Sequence, residues 1–334
     1  MTKHDEKTLL IMGLGSMGTR RIRALRSLGN YKIIGSDINQ TRAKNVAIEY
    51  DIKLSENIDQ IISIKQIDAM FICVPPDKHE YLIKKCIKKS LPCFVEASVI
   101  LGDLKNLETI RSRKNLKIAP SCTLCFHPAI EIIQSVINSN KLGKVSNFIL
   151  HSGQYLPFWH PYENVEDFYA SKKETGGARE IVAFELTWLT KFLGFPKVVK
   201  SFFGKTIHIN GAEQIDDTYN CIFQFENFFG TLIVDVVSRE GTRYFELIFS
   251  NGQIKWNWKN DYVEIIDEFG DVFKKHYKKK VNSQGYDVNI AEDMYLKETD
   301  KFLKFVFENN SFCNSLDHDI KVLELLLEIE AKGV

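Results

Sequence analysis

Three stretches of this chain hold side chains whose type and spacing suit chemistry. The first is Gly13-Leu14-Gly15-Ser16-Met17-Gly18, a G-x-G-x-x-G run set between an apolar strand pattern and an amphipathic helix pattern. In that context Gly13 permits a tight turn, Gly15 lets backbone approach a pyrophosphate, and Gly18 lets helix pack on strand. The N–H groups at Ser16 and Met17 open the helix and direct its partial positive charge at phosphate oxygens. Asp37 follows the last glycine by about 20 residues, at the end of YKIIGSD, where a carboxylate accepts from an adenosine 2′-hydroxyl and repels a 2′-phosphate. The pattern therefore predicts an NAD cofactor in preference to NADP. The structural alternative for Asp37 is a cap on the helix predicted over INQTRAKNVAIEY.

The second stretch is FVEASV, residues 94–99, an apolar strand running into Glu96 and then two small residues, with nothing ionisable on either side. The third is the loop YLPFWHPYENVEDFYASKKETGGARE. His160, between Trp159 and Pro161, titrates near neutrality. Tyr162, Tyr169, Lys172 and Lys173 each carry a proton that a developing alkoxide could take. Arg179 beside Glu180 suits a bidentate anion, and Trp159 offers a stacking face for a sugar ring. The plainer reading of the same residues is a His-Pro turn, exposed lysines, packed aromatics and an Arg179–Glu180 ion pair. Cys122 and Cys125 form a CxxC with no second pair at zinc spacing, which predicts buried thiols and no metal.

Elements that position these groups follow from the hydrophobic pattern. Strand and helix patterns alternate through the first third: DAMFICVPP, the amphipathic HEYLIKKCIKKSL, LPCFVEA and LKIAPSC. Alternation of this kind predicts a parallel, doubly wound sheet with ligands at the C-terminal strand ends, where Glu96 falls. After Pro128 a helix leads into β-branched and aromatic runs separated by turn signals such as Glu226-Asn227 and Asn251-Gly252, which predict an antiparallel sheet of hairpins. The helix REIVAFELTWLTKFLG interrupts the strands, and helical patterns close the chain. The expected division is residues 1–124 for a cofactor-binding domain and 125–334 for a substrate-binding and oligomerisation domain.

Bulk properties bound the possibilities. With 334 residues, 44% apolar and 26% charged, the chain suits two globular domains. A net charge of +1 gives no field that favours nucleic acid or acidic membranes. No apolar run approaches the ~18 residues of a membrane span, and MTKHDEKTLL lacks a signal-peptide core. Seven scattered cysteines point to a reducing, cytoplasmic compartment.

Together GLGSMG, CVPPDKH, CFVEAS, APSCTLCFHP and GGAREIVAFELTWLTKFLG resemble the glucose–fructose oxidoreductase / inositol dehydrogenase family of NAD(P)-dependent sugar oxidoreductases, over essentially the whole chain. The resemblance implies an N-terminal Rossmann domain and a C-terminal α/β domain with a large, mostly antiparallel open sheet, used for substrate binding and often for dimerisation. It implies that Cys73, Pro75, Pro76, His79 and Glu96 lie against the cofactor. It also exposes departures. Family members carry Glu-Lys-Pro where this chain has Glu96-Ala97-Ser98, so the proton-transferring lysine is replaced by Ala97. The family's Asp, His and Asp on one helical face become Glu180, Phe184 and Thr187, counted from Gly194. The expectation is thus an NAD(H)-dependent oxidoreductase acting on a sugar or nucleotide-sugar derivative, of the kind associated with bacterial surface-polysaccharide or sialic-acid-like sugar synthesis. Lys173, His160 and Glu180 are its candidate proton-transfer groups. Glu96, Trp159, Tyr162, Tyr169, Lys172 and Arg179 are its candidate substrate contacts, and the expected assembly is a homodimer or homotetramer. The alternatives are a degenerate NAD- and sugar-binding subunit without redox turnover, and an epimerase that retains its NAD.

Overall fold

The computed structural model describes residues 7–55, 67–159, 163–278 and 292–333. The chain forms two compact units, one of Met1–Thr123 with Tyr295–Lys321, the other of Leu124–Met294 with Val322–Val334. The expected candidates His160 and Tyr162 lie outside the described residues.

In the first unit, β1 (Thr8–Met12), β2 (Lys32–Ser36), β3 (Lys53–Leu54), β4 (Ala69–Ile72), β5 (Cys93–Val95) and β6 (Ile118–Pro120) make one sheet. Its order is β3-β2-β1-β4-β5-β6, and every pairing is parallel. The order reverses between β1 and β4, so the carboxyl ends of those strands frame the crevice where ligands of such sheets bind. The connections include α1 (Ser16–Leu28), α2 (Gln40–Tyr50), α3 (His79–Lys89) and α4 (Leu104–Lys114). Strands β4 and β5 are buried along their whole length, as expected of a sheet covered on both faces. The chain returns to this unit through α7 (Glu292–Phe307), whose Phe302 ring packs 4.9 Å from Phe71 and 5.6 Å from Phe94.

The second unit opens with α5 (Pro128–Ser139), capped by the His127 ring, which accepts from the Ala129 N–H. Its strands are β7 (Val145–Tyr155), β8 (Val198–Gly204), β9 (Thr218–Gln224), β10 (Phe229–Asp235), β11 (Val237–Phe249), β12 (Gly252–Asn257), β13 (Tyr262–Ile266) and β14 (Val272–His276). They form a sheet ordered β14-β13-β12-β11-β7-β10-β9-β8, antiparallel except where β10 runs parallel to β7. Alternation buries one face: Phe148 and Leu150 of β7, Leu232 and Val234 of β10, and Phe245 and Leu247 of β11. Helix α6 (Ala178–Leu193) covers that face, with Trp188 edge-on to Phe245 and Glu185 paired with Arg243 at 2.7 Å. The other face carries Phe202, Ile222 and Phe229, all largely exposed. The last helix, α8 (Leu316–Ala331), is tied to β8 of this unit by the Ser201 hydroxyl, which donates to the Ile329 carbonyl.

Candidate functional site

In the first unit the chain leaves β1 and turns at Gly13, whose φ of +89° favours glycine. A Cβ there would lie 2.6 Å from the Cys73 carbonyl oxygen, so the turn also needs glycine to pass the end of β4. A Cβ on Gly18 would fall 1.9 Å from the Gly13 carbonyl oxygen, because the first turn of α1 packs directly on the loop. Gly15 differs, since nothing lies within 4 Å of where its Cβ would be. Its bareness keeps a space open instead of avoiding protein. Gly15 is also the cap residue of α1, and no acidic side chain sits in the first turn, which begins with Ser16 and Met17. The positive helix end is therefore not neutralised from within its own first turn, and this arrangement fits the pyrophosphate of a dinucleotide.

Asp37 follows β2 and is thoroughly engaged. Oδ2 accepts from the Leu14 N–H at 2.7 Å and from Arg42 Nε at 3.0 Å. Oδ1 accepts from the Asn39 N–H at 2.7 Å and from Arg42 Nη2 at 2.9 Å. Burial by itself would raise the Asp37 pKa, but Arg42 and the two backbone donors outweigh it and hold the carboxyl below its ordinary value. The cap of α2 is Asn39, whose side chain accepts from the Arg42 N–H.

At the end of β4, Cys73 is half-buried, and burial first, then Glu96, pushes its thiol pKa up. Pro75 is exposed and Pro76 buried, opening a short 3₁₀ turn. His79 begins α3 with both ring nitrogens engaged: Nε2 lies 2.8 Å from the Val74 carbonyl and Nδ1 2.7 Å from Ser98 Oγ. A carbonyl only accepts, so Nε2 carries the proton and Nδ1 accepts from the Ser98 hydroxyl. Burial lowers the His79 pKa to about 4, so the ring is neutral at physiological pH. It ties the segment after β5 to the segment after β4.

Glu96 is not the isolated carboxylate that its neighbours in sequence suggest. Arg21, from the middle of α1 and fully buried, donates to it through Nε at 2.6 Å and Nη2 at 3.2 Å. The same Nη2 meets Glu298 Oε2 at 2.6 Å, and Nη1 reaches Thr299 Oγ1 at 3.2 Å. Glu298 accepts in addition from the hydroxyls of Ser121 and Thr123 and from the Cys122 N–H. One guanidinium thus serves two buried carboxyls. Burial raises the Glu96 pKa against the opposing effect of Arg21, and the charge of Glu298 adds to the rise. Both Glu96 oxygens face Arg21, so this side chain anchors the segment after β5. Cys122 Sγ lies 2.9 Å from Cys313 Sγ. Among the described residues no cluster of three or more metal-binding side chains forms.

The second unit contributes a different kind of group. Gly176 lets the turn before α6 lie against Ala170, since a Cβ on it would fall 2.0 Å from the Ala170 Cα. That contact delivers Tyr169 to Glu180 in the first turn of α6: the Tyr169 hydroxyl donates to Glu180 Oε1 at 2.7 Å. Glu180 Oε2 is shielded from solvent and has no hydrogen-bond partner among the described residues. Burial raises the Glu180 pKa to about 7, against the smaller opposing effect of the Tyr169 bond. Phe168 stands edge-on to both Tyr169 and Trp159, so Trp159 belongs to an aromatic row that supports this pair.

Arg179 pairs with Glu330 at 2.5 Å and donates to the Glu174 carbonyl, so its partner is not the adjacent Glu180. Lys172 and Lys173 are exposed. The Thr187 hydroxyl donates to the Ala183 carbonyl of its own helix, and Phe184 is half-buried. Sequence reasoning missed Arg21, Glu298 and Ser98, which no local pattern marks. Arg42 carried a visible signal, since it follows Asp37 by five residues on the next helix.

A family model described as an oxidoreductase family with an NAD-binding Rossmann fold matches residues 7–117, and a GFO/IDH/MocA C-terminal domain model matches residues 130–255. No curated protein matches the chain. Among solved structures, levoglucosan dehydrogenase in complex with NADH and levoglucosan has a TM-score of 0.85 at 14% identity, with 98% of this chain and 97% of that one covered. An oxidoreductase from Agrobacterium radiobacter, in complex with NAD+, L-tartaric acid and magnesium, gives 0.84 at 12% identity, covering 98% and 96%. UDP-N-acetylglucosamine 3-dehydrogenase GnnA from Acidithiobacillus ferrooxidans gives 0.78 at 14% identity, covering 98% of each. At such identities these likenesses speak for the fold. With the glycine turn of the first unit and the two matched family models, the chain belongs to the GFO/IDH/MocA family of oxidoreductases, built on an NAD-binding Rossmann domain.

Proposed function

We propose that this protein moves hydride between NAD(H) and a carbinol or keto carbon of a sugar or nucleotide-linked sugar, in a route of the bacterial surface-polysaccharide or sialic-acid-like type. The observation that carries the proposal is Glu180, a shielded carboxyl with a pKa near 7, one oxygen held by Tyr169 and the other without a partner among the described residues. Bound NAD(H) supplies the hydride donor or acceptor. The turn from Gly13 to Gly18 would hold its pyrophosphate and Asp37 its adenosine ribose.

Every other step falls to the chain's own groups. In the reducing direction, protonated Glu180 gives its proton to the carbonyl oxygen as that oxygen becomes a hydroxyl. In the oxidising direction ionised Glu180 takes the proton back. A carboxyl that titrates near neutrality is matched to both directions. Tyr169 fixes the carboxyl through Oε1 and leaves Oε2 as the reacting atom. The sugar class is supported by the names of two structurally similar proteins, which act on levoglucosan and on a UDP-linked sugar.

Glu180→Gln is expected to lower kcat/KM at least about a hundredfold, within the range for loss of a general acid, and Lys173→Ala by less than tenfold. The reverse order would move the proton to Lys173. The competing reading, a binding subunit without turnover, draws on Ala97, Phe184 and Thr187; it predicts no nicotinamide oxidation with any sugar. Assembly as a homodimer or homotetramer through the open sheet face is supported by the exposure of Phe202, Ile222 and Phe229. Sedimentation as a monomer at micromolar concentration would overturn that part.

A further inference from the structure

We infer that Arg42 sets the cofactor preference of this protein, and sets it toward tolerance: NADP(H) is accepted alongside NAD(H). The inference rests on the cofactor reading above and concerns residues of the first unit alone. A carboxylate has about four lone-pair positions. At Asp37 all four are filled, two by the backbone N–H groups of Leu14 and Asn39 and two by the Arg42 fork. The backbone donors are fixed by the turns that contain them. A ribose hydroxyl can therefore reach Asp37 only by taking the place of Arg42.

Exposure shows which partner covers which. The Asp37 side chain is 2% exposed and that of Arg42 38%, so the guanidinium lies over the carboxylate on the solvent side. Beside them Ile38 is 98% exposed, leaving apolar surface that an adenine ring would cover. Two consequences act in the same direction. NAD(H) must break a bidentate charge-assisted pair to gain its ribose contact, which weakens its binding. A 2′-phosphate meets a carboxylate already neutralised by a guanidinium, and a displaced Arg42, tethered in the first turn of α2, remains within reach of that phosphate. An acidic residue for the 2′-hydroxyl and an arginine for the 2′-phosphate are usually alternatives at this place in the fold. Here both are present and occupy each other.

The test is a fluorescence titration of the purified protein with NADH and with NADPH, for wild type, Arg42→Ala and Asp37→Asn. Wild type is expected to bind the two within about tenfold of each other. Arg42→Ala is expected to weaken NADPH by about tenfold or more, the scale of one lost charge-assisted contact, while NADH is unchanged or tighter. Asp37→Asn is expected to shift the ratio toward NADPH. Equal changes for both cofactors in Arg42→Ala, or none, would overturn the inference. So would a wild type that prefers NADH by several hundredfold. Wild type that binds neither cofactor would instead refute the cofactor reading itself. Arg42 is partly exposed on a helix surface, and an unchanged thermal midpoint in Arg42→Ala separates a specificity effect from a folding defect.

Discussion

Glu180 makes a prediction that needs no substrate. Its pKa rises on folding from the ordinary 4.5 to about 7, because burial disfavours the charged form. Below pH 4.5 the carboxyl is protonated in both folded and unfolded chain and contributes no pH dependence. Between pH 4.5 and 7 the unfolded chain releases the proton while the folded chain keeps it, so stability falls as pH rises. Above pH 7 both states are ionised and the full cost is present. At about 1.36 kcal/mol per pH unit, the gap corresponds to about 3 kcal/mol. Glu180→Gln has nearly the same shape and does not titrate, so its stability relative to wild type should climb by about that amount between pH 5 and pH 8. The readout is favourable, since all four tryptophans, Trp159, Trp188, Trp256 and Trp258, belong to the unit that holds Glu180. Urea unfolding followed by tryptophan fluorescence at each pH therefore reports that unit. A variant whose offset from wild type stays constant from pH 5 to pH 9 would refute the assignment of a raised pKa, and with it the proton-transfer role.

Two further predictions concern the first unit. Arg21→Leu leaves Glu96 and Glu298 buried without their shared cation, and should cost about 3–5 kcal/mol in stability; Glu96→Gln keeps the Arg21–Glu298 pair and should cost far less, so equal losses in thermal unfolding would contradict the network described. Gly15→Ala should leave the thermal midpoint unchanged yet weaken NADH binding, because its Cβ enters open space, whereas Gly18→Ala should destabilise the fold, because its Cβ meets the Gly13 carbonyl; a stable Gly18→Ala, or a Gly15→Ala with native affinity, would break that distinction.

What the sequence disclosed and what it withheld divide along contact range. The glycine turn and Asp37 were legible because they and their partners Leu14, Asn39 and Arg42 fall within one β-α-β stretch and the start of the next helix, where spacing fixes geometry. Glu96 was not, since its partner Arg21 is 75 residues away and Glu298 is reached only when the chain returns through α7. A strand end that looks bare in sequence is in fact the anchor of a buried ion network. Arg179 shows the converse trap. Glu180 is adjacent, but successive helical residues point in different directions, and Arg179 instead meets Glu330, 151 residues on. The loop before α6 is rich in candidates by composition, and composition does not rank them. Which ones matter depends on burial: Lys172 and Lys173 stay in solvent, while Tyr169 is drawn onto Glu180 by the close approach of Gly176 to Ala170. His79 was visible as a motif residue, but its neutral state and its bond to Ser98 come from burial alone.

The proposed step, hydride from NADH to a sugar carbon with a proton from Glu180, can be followed by isotope. The most direct measurement incubates the protein with NADH carrying deuterium at nicotinamide C4 and a library of keto-sugars and nucleotide-linked keto-sugars, and reads the products by mass spectrometry. The expected result is one sugar alcohol that has gained a single deuterium at carbon, transferred as deuteride, and that is strongly diminished with Glu180→Gln. Binding of NADH with no labelled product from any sugar would contradict that step and leave a protein that holds its cofactor without using it.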